Sequence, residues 1–441
     1  MEQVTLSSIG ATNVATECTA DPTSTNPPFP SEMFVNIFDV LYWSITEPLP
    51  FPLPYDDALK YFKRHPLLDY MLVCRRWYNI VQASPSYWTF VEMGVTSGVA
   101  REGCGAGHHN ATPPGQGELI DAQKPLERSG SLPLRLTVAP EFFSKVGWLE
   151  VIRKHARRLE SLDLVYNPKN GTIRRISPEH LVQLLELPFL SLKRLHLGRL
   201  YFTLTTLGWS DPFQINLNAP HLHQLSYHFQ LIIPSTPSRL TFLSISGSDF
   251  SLIKLPIGQS QIELPELLEL RITDCEPAPV LSVFSTPALQ ALAINADEIS
   301  AEVPEDLPEY PHLRDLQWLD VGNDQTFELV FRHCPNLTRY ANYVVGSENK
   351  LNPKHLTDGP TILERPGGIN SIGWPKLEEV LLDCALCVDL LGLAELVPTI
   401  KRMRILKNPC EFGDKIIEAE LLVQLRQKVD IAIGIDSWTD S

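Results

Sequence analysis

The 441-residue chain contains no run of 18 or so apolar residues, so nothing in it reads as a membrane-spanning helix. Its first residues carry neither the basic start nor the apolar stretch of a secretory leader. The eight cysteines (Cys18, Cys74, Cys104, Cys275, Cys334, Cys384, Cys387 and Cys410) are scattered, and without a secretory leader reduced thiols are the default. These absences imply a soluble protein of the cytoplasm and/or nucleus, with no membrane partner. Positive charge is short as well: 37 Lys and Arg stand against 52 Asp and Glu, a net charge of -15. That balance argues against nucleic acid as a main ligand, because phosphate binding needs a basic surface. The local exception, Arg153-Lys154-His155-Ala156-Arg157-Arg158, reads as the solvated face of a helix.

Recognisable chemistry is also missing. There is no Gly-x-x-x-x-Gly-Lys-Ser/Thr phosphate loop, no Gly-x-Ser-x-Gly elbow and no His-Glu-x-x-His zinc motif. Gly103-Cys104-Gly105-Ala106-Gly107 lacks the strand and helix a phosphate loop needs. Cys104 with His108 and His109 has no paired ligand spacing, and Cys384-x-x-Cys387 has no second pair to complete a zinc site. Glu378-Glu379 reads as a solvated strand edge. The expectation is a protein that is not an enzyme, with no catalytic residues, no cofactor and no metal.

What remains is ordinary globular material, 44% hydrophobic and 20% charged, long enough for two or three domains. Residues 1–27 are rich in Ser, Thr and Pro without apolar periodicity and read as a disordered leader. After Pro30 and Ser31 come Met33, Phe34, Ile37, Phe38 and Leu41, one broad apolar face on a helix. A second run follows Pro66: Leu67, Tyr70, Met71, Cys74, Trp77 and Val81, ending at Ser84-Pro85 before Tyr87, Trp88, Phe90 and Val91. Between the two runs Pro48, Pro50, Pro52 and Pro54 alternate with Leu49, Phe51 and Leu53, which predicts an extended path. A unit this small is marginal alone and often completes its core against a partner.

Phe29-Pro30-Ser31-Glu32, Ile37-Phe38, Leu72-Val73-Cys74-Arg75-Arg76-Trp77 and Ser84-Pro85-Ser86-Tyr87-Trp88 resemble, in order, an F-box of the form abundant in mushroom-forming fungi. Phe29 stands where that family usually has Leu, and Tyr42–His65 is a longer first connection than its minimum. The resemblance implies docking on a Skp-type adaptor carried by a cullin scaffold. By position it assigns Phe29, Pro30, Met33, Ile37, Phe38, Leu72, Val73, Cys74 and Trp77 to docking, with Trp88 closing the unit. The sequence alone does not divide these residues between docking and internal core.

Residues 94–127, opening on a glycine-rich stretch, read as a flexible linker. Beyond it a pattern of apolar, two spacers, apolar, one spacer, apolar repeats. It runs Leu159-Leu162-Leu164, Leu192-Leu195-Leu197, Leu222-Leu225-Tyr227, Leu240-Leu243-Ile245 and Leu267-Leu270-Ile272. It continues as Leu289-Leu292-Ile294, Leu313-Leu316-Trp318, Leu337-Tyr340 with a degraded third position, Leu377-Val380-Leu382 and Ile400-Met403-Ile405. A Pro commonly stands two places before the first Leu, as at Pro220, Pro265, Pro287, Pro311, Pro335, Pro375 and Pro398. The last three positions are a period-2 strand burying one face, and no single unit can bury its apolar row alone. The pattern resembles the irregular leucine-rich repeats found behind F-boxes.

The expected fold is therefore α/β: a small all-helical F-box at 28–93, then a leucine-rich-repeat solenoid at 128–412. Parallel strands would line its concave face, with helices and irregular loops on the convex face. Arg128–Val138 would supply the first strand, while Pro178–Leu185 and Thr326–His333 have helical spacing. An insertion loop spans Tyr340–Trp374, and 413–441 holds a capping helix and tail. The function implied is a substrate-recognition adaptor of a cullin–RING ubiquitin ligase that binds an unknown protein substrate. Candidate substrate contacts at spacer positions are Lys193, Arg194, His196, His223, Arg271 and Gln317, with Glu160, Ser161, Asp163, Gln224, Ser226 and Asp315 beside them. A repeat scaffold with no ligase role, its helical N-terminus only a cap, remains the alternative. A cap would have its apolar faces covered; a docking module would expose an apolar patch.

Overall fold

The computed structural model describes residues 30–46, 67–93, 117–138, 143, 147–164, 178–198, 213–214, 217–227, 231–232, 239–247, 261–273, 275, 277–295, 309–319, 334–343, 376–382, 390–391, 394–395, 397–405 and 415–433. Phe29, the 1–27 leader, the alternating prolines, Cys104, His108, His109, Thr326–His333, Cys384, Cys387 and all but the first four residues of the 340–374 loop lie outside them. The helices are α1 Ser31–Thr46, α2 Leu68–Met71, α3 Arg75–Ala83, α4 Gly117–Arg128, α5 Trp148–His155, α6 Pro178–Leu185, α7 Pro277–Val283 and α8 Lys415–Lys428. The fold is mixed α/β, and its main sheet is parallel, with 13 strands that follow chain order. These are β1 Phe90–Met93, β2 Leu134–Val138, β3 Leu159–Leu164, β4 Arg194–Leu197, β5 Gln224–Tyr227, β6 Phe242–Ser246 and β7 Glu269–Thr273. The series ends with β8 Ala291–Asn295, β9 Asp315–Leu319, β10 Arg339–Tyr343, β11 Glu379–Leu382, β12 Arg402–Ile405 and β13 Asp430–Ile433. The chain divides into two compact units, 1–137 and 138–441.

In the second unit the repeating pattern becomes rows of side chains. Leu162, Leu195, Leu225, Leu243, Leu270, Leu292, Leu316, Tyr340, Val380, Met403 and Ile431 stand side by side across β3 to β13. All but Ile431 are buried, as is the first apolar residue of every repeat from Leu159 to Ile400. Each fully buried Leu contributes about 1.5–3 kcal/mol against exposure. The prolines have a local reason. Leu222 N donates to Ala219 O, Leu267 N to Leu264 O, Leu289 N to Thr286 O, Leu313 N to Tyr310 O and Ile400 N to Val397 O. Pro220, Pro265, Pro287, Pro311 and Pro398 thus occupy the second position of four-residue turns, where a fixed φ costs nothing.

One carbonyl per repeat then fixes the alignment. Lys193 O accepts from both His223 N and Gln224 N at 2.9 and 3.0 Å, and His223 O accepts from Thr241 N and Phe242 N at 2.8 and 3.0 Å. The same double acceptance passes through Thr241, Leu268, Gln290, Arg314, Thr338 and Glu378.

Four expectations change. Residues 117–127, part of the 94–127 linker, belong to α4, which packs on β1 and buries Leu126. The first strand of the sheet is Phe90–Met93; Leu134–Val138 of the Arg128–Val138 segment is the second. In the 413–441 segment the expected capping helix, α8, leads into a further strand, β13, which pairs with β12. That last repeat carries Lys428 where the pattern wants its first Leu, so it went unmatched. Glu379 is not solvated: it is buried, with Arg404 at 2.8 Å, Arg402 at 3.2 Å and Arg339 at 3.7 Å. Helix α6, by contrast, has the bounds its spacing predicts.

The Glu379 cluster and the exposed Glu160–Lys193 pair differ in their surroundings. A buried ion pair broken on one side costs about 3–5 kcal/mol, an exposed one under about 1 kcal/mol. Glu379→Ala is therefore expected to lower stability by about 3–5 kcal/mol and Glu160→Ala by under about 1 kcal/mol, read by urea unfolding of the full chain.

Candidate functional site

In the first unit a core of Phe38, Tyr42, Leu67, Met71, Val81, Tyr87 and Trp88 is surrounded by half-buried Phe34, Leu41, Tyr70, Trp77, Ile80 and Phe90. Trp77 is its hinge point: its ring meets Phe38 edge-on at 5.2 Å and Phe34 at 5.7 Å, which locks α1 to α3. The polar tips of the buried aromatics are satisfied. Trp88 Nε1 donates to Val81 O at 3.0 Å, and the Tyr87 hydroxyl donates to Asp39 Oδ1 at 2.8 Å. Burial, reinforced by the Asp39 acceptor and its charge, raises the Tyr87 pKa. Burial likewise raises that of Tyr42, whose hydroxyl accepts from Phe90 N at 3.3 Å.

The second apolar run is not one helix. Four residues form α2, the chain then turns through Leu72 and Val73, and Cys74 takes an extended conformation before α3 begins. The turn pushes Leu72 and Val73 out of the core. On α1 the single broad face is in fact two. Phe38 and Tyr42 point inward, Phe34 and Leu41 sit at the margin, and Met33, Ile37 and Val40 face away from the core. Their spacing of i, i+4, i+7 makes the outward three one stripe.

The docking candidates are thereby sorted. Phe38 and Trp88 are core residues, 0% and 3% exposed, and Trp77 bridges the helices. Pro30, Met33, Ile37, Leu72 and Val73 lie on the surface, the last four 45%, 48%, 76% and 58% exposed. Cys74 is a half-buried free thiol. Val40, 70% exposed, and Tyr78 are further exposed large hydrophobic residues that the sequence reading missed. Val40 completes the helical spacing begun by Met33 and Ile37, so that signal was present in the sequence.

The substrate-contact candidates separate as well. His196, Arg271 and Gln317 share one spacer row, with Asp163, Ser226 and Ser244 in it; Arg194, Gln224 and Asp315 share the parallel row two residues earlier. Lys193 and His223 stand one residue before their strands, and Lys193 Nζ bonds Glu160 Oε1 at 2.5 Å. Arg271 is held by Glu269 at 2.6 Å and lies over the Phe242 ring. Ser161 Oγ donates to Asp163 Oδ2 at 3.1 Å, and both side chains are buried. Burial raises the Asp315 pKa, while Arg339, 3.4 Å away, pulls it back. The charged end of this face, Arg339, Glu379, Arg402 and Arg404, was missed; lining up the repeats puts all four at spacer positions.

Among the described residues no group of three or more His, Cys, Asp and Glu side chains could hold a metal ion. No described helix is long and apolar enough to cross a membrane. No protein-family model matches the chain, and the comparison with curated proteins finds no relative.

The division between core and surface is measurable. Phe38→Ala is expected to cost about 3–5 kcal/mol and Ile37→Ala about 0.5 kcal/mol or less, read as the change in urea midpoint of the first unit's aromatic fluorescence.

Proposed function

We propose that the chain is a non-catalytic adaptor: its first unit is an F-box that docks a Skp-type adaptor, and its second a leucine-rich-repeat solenoid that presents a protein substrate. The observation that carries this reading is the apolar surface of Met33, Ile37, Val40, Leu72 and Val73 on a unit whose own aromatic core is already filled without them. These side chains contribute little to the fold and are costly to leave in water, which is the signature of a docking surface. In this reading Phe38, Trp77 and Trp88 hold the helices in place, and Met33, Ile37, Leu72 and Val73 make the contact.

Catalysis would then be proximity. The substrate held on the second unit has its lysines brought near a ubiquitin-charged enzyme on the cullin scaffold, raising their effective concentration. In the sheet the spacer rows, which include His196, Arg271 and Gln317, are where a protein substrate would meet fixed polar groups.

The test is a charge on the docking stripe. The double variant Met33→Asp, Ile37→Asp is expected to weaken binding of the purified full chain to a Skp-type adaptor at least about 100-fold, while its thermal unfolding stays near that of the wild type. Undiminished binding by the folded variant would reject the docking assignment. A wild-type chain that binds no adaptor would favour the repeat scaffold.

A further inference from the structure

The second unit is electrically uneven along its length. Residues 138–240 hold twelve Lys and Arg against seven Asp and Glu, a net of +5, whereas residues 241–441 hold sixteen against thirty-one, a net of -15. The strands of the main sheet follow chain order, so this asymmetry of sequence becomes one between early and late repeats.

The structure gathers part of the positive excess at the edge where the chain enters β3 to β6. Helix α5 ends at His155, so only the first half of the run Arg153 to Arg158 is a helix face; Arg157 and Arg158 lie in the tight turn entering β3. Lys193 and His223 stand just before β4 and β5, Arg194 opens β4, and Arg239 lies three residues before β6. Ser191 Oγ donates to Arg157 O at 2.8 Å and His223 Nδ1 donates to Arg239 O at 3.2 Å, which ties these entry segments to one another. Arg157, Lys193 and Arg239 are exposed, and Arg158 and Arg194 are half-buried. Arg158 Nε and Nη2 donate to His155 Nδ1 at 3.3 and 3.0 Å. Burial, with the Arg158 and Lys154 charges, lowers the His155 pKa to about 4, so at neutral pH this acceptor orients the guanidinium without cancelling its charge. Glu150 is set against Arg153 and Glu160 against Lys193. Among the described residues the edge then carries Arg157, Arg158, Arg194 and Arg239 against Asp163, which accepts from Ser161 Oγ.

We propose that this edge of β3 to β6 binds a short segment of the protein substrate rich in Asp and Glu. The proposal rests on the reading of the second unit as the part that holds a substrate, and it names the chemistry of that substrate. Guanidinium forks match carboxylates in shape and charge. Four strands about 4.8 Å apart make an edge about 14 Å long, room for about four extended residues. Beyond it Glu266 and Glu269 stand at the entry to β7, and the balance turns negative. A short acidic segment gains from the whole patch, while a long polyanion such as nucleic acid would be driven against the acidic repeats.

The experiment is fluorescence anisotropy of the purified full chain with three labelled probes: an Asp/Glu peptide of about eight residues, its Asn/Gln counterpart, and a single-stranded oligonucleotide. The acidic peptide is expected to bind at least about tenfold more tightly than its amide counterpart, and to weaken several-fold between about 50 and about 200 mM salt. The double variant Arg157→Glu, Arg239→Glu is expected to lose at least about tenfold in affinity for it. Arg314→Glu, Lys376→Glu makes an equal charge change on exposed side chains of later repeats and is expected to lose less than about twofold. No binding by the wild type, or equal loss in the two double variants, would overturn the proposal. An oligonucleotide that binds more tightly than the peptide, and is lost in the first variant, would overturn it in favour of nucleic acid. If that variant does not fold, Arg157→Gln, Arg239→Gln replaces it, with an expected loss of at least about threefold. The assay contains no Skp-type adaptor, so its failure and a failure of docking by the first unit are separate results.

Discussion

The second unit depends on one constraint, the parallel register that puts each repeat's middle apolar residue beside the next. In a strand the side chains alternate faces, so a slip of one residue would expose the whole row from Leu162 to Met403 and bury the spacers. Two local devices hold the alignment. Proline-bearing turns aim the chain into each strand, and a single carbonyl before the strand accepts two N–H groups from the following repeat. With the apolar row fixed, the spacer face is fixed too. That is why Glu379 meets Arg402 and Arg404 across neighbouring strands instead of reaching water.

The first unit solves a different problem. Its described elements are few, and aromatic contacts take the place of a long repeating core. Trp77, wedged against Phe34 and Phe38, sets the distance between α1 and α3. Tyr87 and Trp88 are bonded to backbone and Asp39, and the core is made without Met33, Ile37 or Val40, which stay exposed. Their exposure follows from how the core is filled, and the docking function proposed for them rests on that surplus.

Much of this was legible in the sequence. The ten apolar matches each became a strand of one sheet, because period-2 alternation and turn prolines are local signals that tertiary contacts reinforce. Helix α6 was readable at its bounds for the same reason. The errors arose where two physical outcomes share one pattern. Met33, Phe34, Ile37 and Phe38 have helical spacing whichever side faces the core, and only Trp77 and Tyr87 decide it. The run Leu67 to Val81 keeps helical spacing across a break at Cys74. Lys428 hid the last repeat, since its strand is held by Met403 and Ile405 next door. Glu379 looked like one of a pair of surface carboxylates until its register beside three arginines was known.

The central claim is that the exposed stripe of α1 and the Leu72-Val73 turn form a docking surface. Hydrogen exchange of the purified full chain, with and without a Skp-type adaptor, tests it most directly. The account predicts new protection on adding the adaptor, confined to peptides covering residues 30–46 and 67–78, and unchanged exchange in β3 to β12. An adaptor that leaves those peptides unprotected, or that protects only the sheet, would contradict it.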